Sequence, residues 1–201
     1  MSENYRGYEM WQAARNGDMK ECEELVKGGA DIDCKGGEFE STPIAWASMN
    51  GHIDVIKFLV ERGGDVNANN KDIQTPVSIA AAFGHGQIVK YLVQKGCRIN
   101  TKDVIGNTPM FEAAKYGFYD IVKYLNEHGG CIHTTAELGK TPLFGAARNG
   151  HYDVVKYLAE NGADVNAVDV IGRTPLSVAA SRCYYDVCKL LIIQFKARLG
   201  T

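Results

Sequence analysis

The 201-residue chain carries a formal net charge of −2, with 45% apolar and 23% charged residues. That balance is the composition of a folded globular chain. The lack of a basic excess argues against general nucleic-acid binding, in which Lys and Arg displace phosphate counterions. No stretch approaches the roughly 18 apolar residues of a membrane span, so the expected setting is cytoplasmic or nuclear, without membrane contact.

From the N-terminus, the first predicted helix runs through Met10-Trp11-Gln12-Ala13-Ala14-Arg15-Asn16-Gly17. The same pattern returns at Ile44 to Gly51, an offset of 34 residues, and from there the chain is strictly periodic. Thr-Pro stands at Thr42-Pro43, Thr75-Pro76, Thr108-Pro109, Thr141-Pro142 and Thr174-Pro175, every step 33 residues, and uses all five prolines. Thr is a good N-cap, and Pro is preset for the first helical position, where its missing N–H costs nothing. A short helix is therefore predicted after each Thr. Gly51, Gly84, Gly117 and Gly150 stop four of these helices, while Cys183 interrupts the column.

A second helix follows each stop, as in His52-Ile53-Asp54-Val55-Ile56-Lys57-Phe58-Leu59-Val60, until Gly63-Gly64 ends it. Asp65-Val66-Asn67-Ala68 and the polar residues after it lead through an extended turn to the next Thr-Pro. Six units result, with repeats at about 8–37, 38–70, 71–103, 104–136, 137–169 and 170–199 of a single 1–201 domain. The first and last are degenerate caps. At least three units are needed to bury a continuous core, so six suffice.

No residue pattern demands catalysis. His-Glu-x-x-His, Gly-x-Ser-x-Gly and a Walker loop are all absent. His52, His85 and His151 share a column, but stacked helices lie about 8–10 Å apart, too far for one ion bonded near 2 Å. His128-x-x-Cys131-x-His133 matches no common zinc spacing. Neither a metal nor a cofactor is expected, and the chain is read as non-catalytic. The six cysteines form no Cys-x-x-Cys pair and are read as free thiols. Along the second helices run Lys57, Lys90, Lys123, Lys156 and Lys189, four of them three residues after an Asp, a spacing that neutralises charge locally.

The Thr-Pro-Leu run, the Gly-His pair and the Gly-Ala-Asp-Val-Asn ending resemble the ankyrin repeat, most fully in Thr141 to His151 and Gly162 to Asn166. The resemblance implies an all-α solenoid of stacked helix-turn-helix units with extended loops. Where that family has His after Thr-Pro-Leu, this chain has Ala45, Ser78, Phe111, Phe144 and Ser177. It also implies a partner-binding concave face, made by the turn tips and the exposed ends of the first helices.

On that face the expected contact residues are Phe39, Trp46, Phe83, Val104, Ile105, Lys115, Tyr116, Leu138, Arg148 and Arg182. They combine an apolar track with a positive bias in the C-terminal half, which suits a polypeptide with apolar and acidic residues. Such a chain acts as a scaffold or adaptor, or alternatively as an inhibitor or regulatory subunit of an enzyme or transcription factor. Asn67 and Asn166 resemble the sites of asparaginyl hydroxylation in ankyrin repeats. A monomer is expected, with weak self-association through the apolar C-terminal helix.

Overall fold

In the computed structural model, residues 3–198 are described. Residue 199, the expected end of the sixth repeat, lies outside them. The described chain comprises two compact units, residues 3–104 and 105–198, each holding three helix pairs.

The first unit contains α1 (Glu3–Asn16), α2 (Met19–Lys27), α3 (Pro43–Asn50), α4 (Ile53–Glu61), α5 (Pro76–Ala82) and α6 (Gly86–Gln94). The second contains α7 (Pro109–Tyr116), α8 (Tyr119–Glu127), α9 (Pro142–Arg148), α10 (Tyr152–Glu160), α11 (Pro175–Ser181) and α12 (Tyr185–Ile193). A single 3-10 turn, Glu137–Gly139, precedes α9. No strand forms among the described residues; Gly36 and Ser41 make an isolated antiparallel bridge. The fold is all-α, as the repeat pattern predicts. α1 starts well before the expected first repeat because no Thr-Pro fixes its beginning.

Each Thr of the Thr-Pro column caps its helix. The hydroxyls of Thr42, Thr75, Thr108, Thr141 and Thr174 accept the N–H of the residue three positions on, at 3.1–3.4 Å. At Thr75 and Thr174 the serine that replaces His closes a reciprocal bond: Ser78 and Ser177 Oγ accept the threonine N–H at 2.9 and 3.0 Å. Capping of this kind satisfies donors that a helix start leaves open.

Within each unit the first helices of successive repeats pack closely, α1 on α3 on α5 and α7 on α9 on α11. Small side chains permit that approach, since Ala47, Ala80, Ala113, Ala146 and Ala179 are fully buried. Larger apolar residues fill the space beneath the second helices: Ile44, Ile56, Leu59, Ile88 and Leu92 in one unit, Leu125, Leu143, Phe144, Leu158 and Leu191 in the other. Burying such a side chain stabilises by about 1.5–3 kcal/mol. No pair buries its face alone, so the stack holds as a set.

Candidate functional site

Nucleophiles and metal ligands are the first groups to place. Burial, the main cause, pushes the thiols of Cys22 and Cys97 up to about 11 and that of Cys34 to about 12. Cys34 Sγ donates to the Gly7 carbonyl at 3.3 Å. A thiol so protonated is a poor nucleophile. No group of three or more His, Cys, Asp or Glu is arranged to hold a metal among the described residues.

The histidine column joins neighbouring repeats. His52 Nε2 donates to the Arg15 carbonyl at 3.1 Å, His85 Nε2 to Met49 at 3.1 Å and His151 Nε2 to Lys115 at 3.0 Å. Each acceptor is a carbonyl near the C-terminal end of the preceding first helix, which has no partner within its own helix. The asparagines serve a similar purpose. Asn67 Oδ1 accepts the Arg98 N–H at 2.7 Å, and Asn166 Oδ1 accepts that of Arg198 at 2.8 Å. In the lysine column the expected neutralisation is realised between Lys57 and Asp54 at 3.8 Å. No ion pair within 4.0 Å joins Lys123, Lys156 or Lys189 to the Asp three residues before it.

The turn tips are tied backbone to backbone. In the first unit the Lys71 N–H donates to Phe39 and the Val104 N–H to Asp72, at 3.1 and 3.0 Å. In the second, Glu137 donates to Ile105 and Val170 to Leu138, at 2.7 and 3.0 Å. The tip backbones thus satisfy one another and leave the side chains free to face solvent. Val104, Ile105 and Leu138 do so, 58%, 48% and 47% exposed.

Of the expected contact residues in the first unit, Phe83 and Val104 are exposed, and Phe39 is half-buried beneath the Lys71 ammonium, 5.7 Å above its ring. Trp46 is the correction. Expected at an exposed helix end, it is only 5% exposed. Its ring stacks on Trp11 at 5.5 Å, lies 6.0 Å from Phe39 and donates from Nε1 to the Gly36 carbonyl at 3.1 Å. Burial with a satisfied N–H makes it a core residue.

In the second unit Tyr116 is exposed and Lys115 half-buried. Burial opposes the Lys115 charge, but the Glu112 carboxylate at 3.6 Å and the phenol group of Tyr116 outweigh it and hold the ammonium above the usual lysine range. Ile105, Lys115, Arg148 and Arg182 line one groove of about 340 Å³. Tyr116 and Leu138 stand outside its lining.

Phe111, Lys140, Phe144 and Gly145 also line that groove, and sequence reasoning passed over Phe111, Phe144 and Gly145 as site residues. One signal was available. The column Trp46, Ile79, Glu112, Gly145, Val178, which runs from the second repeat to the sixth, carries a buried side chain in each of these but the fifth. Gly145 stands there without a side chain, and a Cβ built on it would be in ordinary contact with Lys115 and Phe111 atoms at 3.6 Å.

The comparisons agree with this architecture. The family model described as ankyrin repeats (3 copies) matches residues 10–103, 101–169 and 132–200. Among curated proteins, the chain is similar to the palmitoyltransferase AKR1 of Kluyveromyces lactis, 34% identical over 58 residues. That match takes in 29% of this chain and 8% of the relative, so the chain spans only a small part of that protein. No helix of the described residues is long and apolar enough to cross a membrane.

Proposed function

The chain belongs to the ankyrin repeat family, whose repeats form protein–protein interaction domains, and from that premise we propose that it is a non-catalytic scaffold or adaptor holding a partner polypeptide. The observation that carries this reading is the state of the turn tips. Their backbone groups are satisfied between repeats, yet apolar side chains stand in water where turns are ordinarily polar. Val104, Ile105 and Leu138 occupy such positions, with Phe83 and Tyr116 exposed at the adjoining helix ends. A face already ordered by its own hydrogen bonds loses little conformational entropy when a partner docks. Trp46 drops out of the contact set because it is consumed by the core.

We place the protein in the cytoplasm, since six cysteines with no disulfide among them suit a reducing compartment. The test is affinity capture with the full chain, compared with Phe83→Ala/Val104→Asp and Ile105→Asp/Leu138→Asp variants whose thermal unfolding matches the parent. A polypeptide retained by the parent and lost by the variants is the expected result. Retention that depends on outward lysines such as Lys57 rather than on the tips would overturn the assignment. So would a metabolite that raises the melting temperature, because a ligand specific for the folded state stabilises it.

A further inference from the structure

The second unit contains a groove that can be read more closely than the face around it. Phe111 and Phe144 give it an apolar lining, and Gly145, which carries no side chain, joins them where α7 and α9 pack. Ile105 and Ala136 add apolar lining, and Lys140, Arg148 and Arg182 contribute cations to it. Their charges differ in availability. Lys115 is committed to Glu112 at 3.6 Å, whereas Lys140, Arg148 and Arg182 form no ion pair among the described residues. Glu137 is an acidic member of the same lining.

Three uncompensated cations around an apolar pit select for a ligand carrying both chemistries. A nucleic-acid strand is disfavoured, because a polyphosphate backbone needs cations spaced along its length, whereas here they cluster beside a few apolar side chains. A polypeptide suits it better. An apolar side chain can enter the pit while flanking carboxylates meet the guanidinium forks of Arg148 and Arg182, a geometry Arg is built to satisfy. At about 340 Å³ the groove has room for one such anchor and the backbone beside it.

We propose that this groove binds an acidic peptide segment, seating one Leu-, Met- or Phe-like side chain over Gly145 and pairing carboxylates with Lys140, Arg148 and Arg182. The inference rests on the protein-binding reading and assigns it a specific seat.

The experiment is selection from a displayed library of random ten-residue peptides against the full chain, with selected peptides then measured by fluorescence anisotropy. Peptides enriched in Asp and Glu around a single apolar residue are the expected yield. Arg148→Glu/Arg182→Glu should weaken them at least tenfold, and raising salt should weaken them further. Gly145→Ala, whose Cβ would meet Lys115 and Phe111 at an ordinary contact distance of 3.6 Å, should keep the fold and weaken the preference for an apolar centre. A Lys140→Gln variant should show a smaller loss. Selection without acidic enrichment, an empty selection, or affinities unmoved by the double Arg variant would each overturn the proposal. Tighter binding of an oligothymidylate than of any peptide would make the groove a phosphate site instead. If captured protein partners persist while the peptide result fails, the general protein-binding reading stands and this seat falls.

Discussion

His151, the residue just before α10 in the fifth repeat, donates from Nε2 to the Lys115 carbonyl, 3.0 Å away in the fourth. The same carbonyl accepts from Asn149 Nδ2 at 3.0 Å, so the end of α7 is held by two side chains from the next repeat. The ring occupies the space over Gly117, whose φ of +81° already excludes most side chains. His151→Ala should therefore cost only about 1 kcal/mol, since the carbonyl keeps its other donor. Gly117→Ala should cost more, at least about 2 kcal/mol, because it adds backbone strain to a clash with the ring. Urea titration of the two variants gives the order, and equal costs would mean that the ring does not pack on that glycine.

Asp169 and Arg173 close the last turn tip. Arg173 donates from Nε and Nη2 to Oδ2 at 2.8 and 2.7 Å, while the Arg173 and Ile171 N–H groups donate to Oδ1 at 2.9 and 3.1 Å. Burial opposes ionisation of Asp169, yet these bonds win and hold its carboxyl below the usual range. A folded value below the unfolded one, about 3.9, means that the pair contributes fully above that pH and that the contribution is lost as pH falls through the folded value. Arg173→Met leaves Oδ2 of a carboxylate that is 0% exposed without its two donors, while Oδ1 keeps its backbone bonds, at a cost of about 2 kcal/mol near neutrality. The stability gap between parent and variant should be widest at pH 7 and narrow on acidification below about pH 4; a gap constant with pH would refute the coupling.

Ile73 adopts φ +60° at a tip position where Gly106, Gly139 and Gly172 stand in later repeats. A β-branched residue is strained there, since its Cβ crowds the carbonyl oxygen. Ile73→Asn should raise stability by about 1 kcal/mol, Asn being tolerant of the left-handed region. A higher melting midpoint checks it, and a lower one would show that the exposed isoleucine side chain contributes contacts that offset its strain.

Ile193 is 68% exposed at a position held by Glu61, Gln94, Glu127 and Glu160 in the preceding repeats. With Tyr152 and Leu190 it borders a cleft on the outer side of α10 and α12. Sedimentation equilibrium is expected to give a monomer at low concentration and a modest mass increase at high concentration, which Ile193→Glu removes. A parent mass independent of concentration would eliminate self-association through this helix.

Much of this was readable from residue order because it depends on near neighbours in the chain. Thr-Pro caps, glycine stops and alternating helix pairs arise from interactions over three or four residues, and a fixed period repeats them. Contacts between repeats were less legible. That the histidines join successive repeats follows from a column, but their acceptors are carbonyls 36 or 37 positions earlier, which side-chain identity does not mark.

The amino-acid sequence by itself determined the helix pairs, their caps, the number of repeats and the family, since each rests on local backbone preference and apolar periodicity. Tertiary packing decided which side chains remain available to a partner. Trp46 has the chemistry of an interface anchor, but Trp11 and Phe39 cover it. Gly145 has no side-chain chemistry at all, yet it lines a groove together with Arg148 and Arg182. Exposure depends on what distant segments place alongside a residue, and that is settled only when the repeats stack.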